Sequence, residues 1–178
     1  VFSANGRWLA AHVGGQIMVW DWQGNQPTRR VPEPGSAMAL SADGRLLAVN
    51  DPEDKKVRLW DLEKRKQINS WDFSPVGDLA FSSDGQFLAA SQGHHLRMWN
   101  GNVSSNQTRV FGLTNRRNKT LAGHDKWVSG IAFSPDGRRL LTAGQDGVLK
   151  IFRSGDWTLI AESQPVDEKC SSLRISPD

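Results

Sequence analysis

An all-β fold made of repeated four-stranded antiparallel blades is predicted by three features of this 178-residue sequence. A phrase of the form Ser-x-Asp-Gly, with Asn replacing Asp once, recurs along the chain. Short apolar runs alternate with turns containing Gly and Asp, and no run has the length and period of an amphipathic helix. The phrase begins at Ser3, Ser41, Ser82, Ser134 and Ser176, which are 38, 41, 52 and 42 residues apart. A repeat of about 40 residues built from short strands is typical of a β-propeller.

Each period predicts four strands in meander order, and the second period shows them most clearly. Its apolar runs are residues 36–40, 46–50, 57–60 and 67–71. Glycine supplies the positive φ that tight hairpin turns require, and Asp or Asn tolerates the left-handed region beside it. We therefore predict one domain, 1–178, with repeats at about 1–32, 33–73, 74–122 and 123–164 and the start of another at 165–178.

The predicted third strand of each repeat ends in an aromatic residue. These strands are residues 17–21, 57–61, 96–100 and 149–153. With Gly123 and His124 placed eleven residues before Pro135, the chain resembles the WD-repeat β-propeller family over essentially its whole length. The fourth repeat departs from that family's pattern, because Phe152 and Arg153 stand where Trp and Asp are usual.

The extent of the repeats predicts an incomplete propeller. The chain holds about four blades' worth of strands, whereas rings of the family it resembles are typically larger. Since both ends fall inside a predicted repeat, we expect a fragment of a larger ring whose remaining blades are missing from this chain.

The 52-residue period predicts an insertion at about 101–119, after the third strand of its repeat. This stretch is polar and lacks sustained alternation, so we expect a loop. Insertions of this kind serve binding in some repeat proteins and are neutral length variation in others, and the sequence leaves both roles open.

The resemblance also implies a hydrogen-bonded network that ties a blade together. Carried over residue by residue, its members are His124, Thr142 and Asp146. Phe152 stands at the tryptophan position and has no indole N–H, so it adds packing alone. The same three residue types could form a catalytic triad. We reject that interpretation because the repeat explains the spacing and the chain contains no G-x-S-x-G nucleophile elbow.

Charge and cysteine content argue against two classes of site. Lys and Arg number 22 against 19 Asp and Glu, a formal net charge of +3. The basic groups, at 29–30, 64–66 and 116–117, are dispersed, so we expect no nucleic-acid binding.

The single cysteine, Cys170, excludes an internal disulfide and a cysteine-based zinc cluster. We expect no cofactor. No transmembrane run or signal peptide is visible, and a cytoplasmic location is the default expectation.

A candidate partner-binding rim follows from the repeat register. The residues seven positions before the turn serines, near the start of each innermost strand, are Pro34, Pro75, Trp127 and Lys169. Trp127 could anchor a partner, or it could pack against a neighbouring blade. We expect neighbouring charged residues to give this rim a mixed charge, namely Asp125, Lys126, Glu33 and Glu168.

These observations predict a non-catalytic scaffold for protein–protein interaction, whose partners are other proteins or peptides. The simple Ser-Pro-Asp-Gly turns also resemble repeats of bacterial multidomain regulatory proteins. Two alternatives stay open. The chain could be the propeller of a larger hydrolase of the prolyl-oligopeptidase type, or a basic propeller that binds nucleic acid or phospholipid.

Overall fold

Strands account for all the regular secondary structure that the computed structural model describes. The described residues are 1–3, 5–24, 26–33, 35, 37–92, 107–114, 117–121, 123–166, 169–170 and 172–176. Within them, fifteen strands form four antiparallel sheets, and the strand order in each sheet follows the chain. The prediction of an all-β fold made of antiparallel meanders is therefore confirmed.

The four sheets correspond to the four predicted repeats. The first contains three strands, β1 (Trp8–Val13), β2 (Gln16–Asp21) and β3 (Gln26–Val31). The second contains β4 (Met38–Leu40), β5 (Leu46–Asp51), β6 (Lys56–Asp61) and β7 (Lys66–Asp72). The third contains β8 (Val76–Phe81), β9 (Phe87–Gln92), β10 (Thr108–Gly112) and β11 (Asn118–Leu121). The fourth contains β12 (Val128–Phe133), β13 (Arg139–Gly144), β14 (Leu149–Arg153) and β15 (Leu159–Glu162).

In the second, third and fourth sheets, the recurring Ser-x-Asp-Gly phrase forms the turn between the first two strands. In the second sheet, the Ser41 hydroxyl donates to Asp43 Oδ1 at 2.5 Å and accepts from the Leu46 amide at 2.8 Å. The Arg45 amide also donates to Asp43 Oδ1, at 3.0 Å. Gly44 has a φ of +70°, a conformation that glycine adopts without a steric penalty. The phrase therefore repeats because each residue type in it satisfies a particular atom of the turn.

Contacts divide the chain into two compact units, Val1–Ser74 and Pro75–Asp178. In the first unit, side chains of the first two sheets share one apolar cluster that includes Ile17, Val31, Leu47 and Val49. In the second unit, the last two sheets share another that includes Val110, Val128, Leu140 and Phe152. Burial of these side chains is the main force that holds the sheets of each unit together.

The third sheet corrects the predicted position of the insertion. β10 pairs with β9 as the third strand, with Phe111 opposite Leu88, and its residues lie inside the predicted loop 101–119. The third strand of this sheet among the described residues therefore begins at Thr108, inside the range predicted to be an insertion. The run 96–100, predicted as that strand, lies outside the described residues. Phe111 takes the aromatic position because it fits the register of β9 and has no exposed surface.

Residues after β15 lie against β12 in the second unit. The Ser129 hydroxyl donates to the Cys170 carbonyl oxygen at 2.6 Å. A Cβ atom added to Gly130 would lie 2.6 Å from the Leu173 amide nitrogen, a distance that no real Cβ contact shows. The absence of a side chain at Gly130 therefore permits this close approach of two backbones.

Candidate functional site

The predicted residues His124, Thr142 and Asp146 lie together at one end of the fourth sheet. His124 Nε2 is 2.8 Å from Thr142 Oγ1, and His124 Nδ1 is 3.1 Å from both carboxylate oxygens of Asp146. Thr142 comes from β13, Asp146 from the turn before β14, and His124 from the segment before β12. The network therefore joins three separate stretches of the blade.

Hydrogen bonds fix the protonation of Asp146. Burial raises the pKa of Asp146, but hydrogen bonds from the Asp125 amide, the His124 ring and the Val148 amide outweigh it and hold the pKa below its ordinary value. A carboxylate only accepts hydrogen bonds. In the neutral imidazole, Nδ1–H thus donates to Asp146, and Nε2 accepts the hydroxyl proton of Thr142.

Gly144 leaves the space that this network occupies. A Cβ atom at Gly144 would lie 2.2 Å from Asp146 Oδ1 and 2.3 Å from His124 Nδ1. Both atoms belong to the hydrogen bond itself, so a side chain at this position would push the two partners apart. This role of Gly144 could not be predicted from the sequence, because the contact depends on the hairpin that β13 and β14 form.

The geometry of the network suits a structural tie better than a reaction centre. Thr142 has no exposed surface, and His124 is 4% exposed. A nucleophile must be reached by its substrate, and this hydroxyl lies where no substrate can contact it. Phe152 is buried in the apolar cluster of the same unit, where its ring has no polar atom to contribute.

The second sheet carries a network that the sequence did not reveal. Trp60 Nε1 donates to Glu33 Oε1 at 3.1 Å, and Arg58 Nη1 donates to the same oxygen at 3.2 Å. Arg58 Nη2 also pairs with Asp51 at 2.7 Å and with Asp54. Here the tryptophan of the third strand does have a polar partner, which is a carboxylate supplied by the segment before β4.

This second network corrects the prediction for Glu33. Glu33 is 1% exposed and belongs to the unit Val1–Ser74, whereas Trp127 belongs to the unit Pro75–Asp178. Because Glu33 is buried and paired, it does not lie on an exposed rim. A glutamate in a loop suggests a solvated side chain, and its two partners on β6 are 25 and 27 residues away in sequence.

The other candidate rim residues that the structure describes lie on two segments, the loop 125–127 and the segment after β15. Asp125 and Lys126 are exposed, and Trp127 is partly buried directly after them. Lys169 is exposed on the segment after β15. Pro34 and Glu168 lie outside the described residues.

The loop 125–127 is held at both ends, because the Asp125 amide donates to Asp146 at 2.8 Å and the Gln145 amide donates to the Trp127 carbonyl oxygen at 2.8 Å.

The described part of the chain contains no group of three or more His, Cys, Asp or Glu side chains placed to hold a metal ion. Among the same residues, no helix is long and apolar enough to cross a membrane.

Comparison with known proteins identifies the repeats. Residues 65–100 and 115–153 match the WD40 family, described as WD domain, G-beta repeat. An uncharacterized WD repeat-containing protein of Synechocystis sp. is 35% identical over 147 residues, which are 80% of this chain and 38% of that protein. The chain contains WD repeats. The target of rapamycin complex subunit wat1 of Schizosaccharomyces pombe is 32% identical over 110 residues, 60% of this WD-repeat chain and 32% of that relative.

A solved structure supports the fold of this WD-repeat chain. The β-propeller domain of Cps50 (Swd1) from Myceliophteria thermophila matches with a TM-score of 0.77 and covers 99% of this chain, at 20% sequence identity. The prediction of a β-propeller fold is therefore confirmed. The chain covers 58% of that structure and between about a third and two fifths of the two relatives above.

The family match and the sheet pairing differ in the third repeat of this WD-repeat chain. The first matched stretch ends at Asn100, and the second begins at residue 115, so β10 lies between them. A sequence pattern ending in Trp99 and Asn100 fits the family, whereas the backbone pairing uses Thr108–Gly112. Two runs of this chain are therefore candidates for the third strand of this sheet, residues 96–100 by their sequence pattern and Thr108–Gly112 by their backbone pairing.

Proposed function

We propose that this WD-repeat chain is a non-catalytic platform for protein–protein interaction. The observation that carries the proposal is the loop 125–127, where Asp125 and Lys126 face solvent. Hydrogen bonds of 2.8 Å hold both ends of its backbone, one from the Asp125 amide to the Asp146 carboxylate and one from the Gln145 amide to the Trp127 carbonyl oxygen. A loop fixed in this way loses little conformational entropy when a partner binds. The buried His124 network supports the loop, since the same Asp146 carboxylate binds both His124 and the Asp125 amide.

The partner-binding surface that we propose is Asp125, Lys126, Trp127 and Lys169. Tryptophan supplies a large rigid area and a polar N–H, which makes it frequent among residues that dominate binding energy. The relative wat1 is named as a subunit of a complex, which supports an interaction role for this chain as well.

Quantitative affinity capture tests this surface. Bait proteins carrying Trp127→Ala, Lys126→Ala or no substitution are compared by mass spectrometry, with Trp22→Ala as the matched control because Trp22 is 65% exposed and lies in the other unit. We expect Trp127→Ala to deplete one or more specific partners by tenfold or more, and Trp22→Ala to deplete none of these. Equal recovery with both tryptophan variants would show that the surface is not used.

The context that we propose for this platform is a multidomain regulatory protein of bacterial type. The relative from Synechocystis supports the bacterial type, and this chain spans 38% of that relative's length. Reading the complete open reading frame tests the proposal. A neighbouring signalling domain would support it, whereas an attached α/β-hydrolase domain with a nucleophile elbow would favour the peptidase alternative.

A further inference from the structure

A cavity of about 520 Å³ opens within the unit Val1–Ser74, beside the end of β3 and the turn between β6 and β7. Three arginines line it, namely Arg29, Arg30 and Arg65. In the sequence these residues appear as two separate basic groups more than 30 positions apart. The pairing of strands in two successive sheets brings them to one cavity.

Among the described residues that line the cavity, Asp61 is the acidic one, and its carboxylate is already paired. Asp61 lies 3.2 Å from Arg45 Nη2 and 3.9 Å from Lys64 Nζ. A hydrogen bond from the Lys64 backbone amide and another from Arg45 outweigh burial and hold the pKa of Asp61 below its ordinary value, so this carboxylate stays ionised and paired. The three arginines therefore leave the cavity with an excess of positive charge.

None of the three guanidinium groups forms an ion pair with a described acidic residue. Arg29 is positioned by its hydrogen bond to the Gly44 carbonyl oxygen at 3.2 Å and by the Trp8 ring, whose centroid is 4.8 Å away. Across the described part of the chain, neither Arg30 nor Arg65 forms an ion pair or a side-chain hydrogen bond. Both side chains are exposed, so their donors are available to a ligand.

Apolar groups complete the wall of the cavity. Val31 and Leu62 are buried members of the core cluster, and Trp60 packs against it. The indole N–H of Trp60 already donates to Glu33, so Trp60 offers the cavity its ring carbons. The lining thus combines a cationic part with an apolar part, which suits a ligand that carries a compact anion on an uncharged body.

We propose that this cavity binds a phosphate monoester, with Arg30 and Arg65 as its principal ligands and Arg29 as a third cation. A phosphate monoester carries close to two negative charges at neutral pH, which matches the two unpaired guanidinium groups. Arginine forms bidentate hydrogen bonds with phosphate oxygens, and these charge-assisted bonds are stronger than neutral ones. The proposal is independent of the surface around Trp127, which lies in the other unit.

Isothermal titration calorimetry on the full chain tests the proposal with three probes. The first is phenyl phosphate, the second is a short phosphoserine peptide with uncharged neighbours, and the third is the same peptide without its phosphate. The protein variants are the unsubstituted chain, the double variant Arg30→Gln/Arg65→Gln and the matched control Arg138→Gln/Arg139→Gln. The control removes the same two charges from an exposed turn of the other unit.

We expect saturable binding of at least one phosphorylated probe and at least tenfold weaker binding by the Arg30→Gln/Arg65→Gln variant. The control variant is expected to retain the affinity of the unsubstituted chain. Tighter binding of the phosphopeptide would point to a modified protein as the source of the phosphate. Tighter binding of phenyl phosphate would point to a small molecule. The proposal is overturned if neither phosphorylated probe binds, if the unphosphorylated peptide binds equally well, or if the two double variants lose affinity equally. Circular dichroism of each variant verifies that the fold is retained.

Discussion

Gly144 shows how one small residue determines whether a polar network can form. The space above it holds the hydrogen bond between His124 and Asp146, and the atoms nearest to an added Cβ are the bonded atoms of these two side chains. Both partners are largely buried, and a buried polar group that loses its partner is costly. The residue with no side chain is therefore as necessary to the network as the residues that form it.

Replacing Gly144 by Ala is expected to destabilise the chain by about 1–3 kcal/mol, because the new Cβ forces His124 and Asp146 apart. The measurement is the free energy of unfolding from urea titration. Gly155→Ala is the matched control, since no atom lies within 4 Å of a Cβ at that position. Equal stability of the two variants would mean that the network adjusts without loss.

At the scale of the turn, Asp and Asn perform the same geometric role with different charge. The Ser3 hydroxyl donates to Asn5 Oδ1 at 2.7 Å, and the Arg7 amide donates to the same oxygen at 3.0 Å. These bonds repeat those of Ser41 and Arg45 to Asp43. Burial raises the pKa of Asp43, but these two bonds outweigh it and hold the pKa below its ordinary value.

Asp43→Asn is expected to keep the turn and to change its pH dependence. Because the folded-state pKa of Asp43 is lowered, its ionised form stabilises the fold above the unfolded-state pKa of about 3.9, and this contribution is lost as the pH falls through the folded-state value. At pH 7 the variant should be less stable by no more than about 1 kcal/mol, since the carboxylate is exposed. Urea titrations between neutral and acidic pH should show the difference vanishing in acid. A difference that is constant with pH would contradict this account.

At the scale of the strand, the third sheet depends on the pairing of β10 with β9. Phe111 has no exposed surface and lies opposite Leu88 in this pairing. Phe111→Ala is expected to cost about 3–5 kcal/mol, the range for a large aromatic side chain removed from a core. Trp99→Ala provides the comparison, measured by the same urea titration. A larger loss for Trp99→Ala than for Phe111→Ala would assign the third strand to residues 96–100.

The strand scale also shows why sequence reasoning succeeded in most places and failed in one. The runs 46–50 and 57–60 predicted β5 and β6 closely, because each is bounded by a turn and has no competitor nearby. In the third repeat two runs carry an aromatic residue near their end, 96–100 and 108–112. The family pattern favours the run 96–100, which was therefore predicted as the third strand. The structure uses Thr108–Gly112, and only the register against β9 distinguishes them, which is information from a partner strand.

At the scale of the whole molecule, the repeat was predictable and the contacts between successive repeats were not. The resemblance to the WD-repeat family was sufficient to predict that His124, Thr142 and Asp146 come together, because all three belong to one repeat. Glu33 was wrongly predicted to lie on the exposed rim, because its partners Arg58 and Trp60 belong to β6, which follows two turns later in the chain. The arginines around the cavity appeared dispersed for the same reason, since their proximity depends on how two sheets pack.

The buried set of Glu33, Arg58 and Trp60 has a consequence for how this sequence can change over time. Removing Arg58 alone would leave a buried carboxylate without its cation, and removing Glu33 alone would leave the indole N–H of Trp60 without its acceptor. Removing one partner of a buried ion pair costs more than replacing both partners by well-packed apolar residues, so the effects of single and joint substitutions do not add. Substitutions at these three positions are therefore coupled, and a lineage that leaves this arrangement must pass through a less stable intermediate or change several residues together.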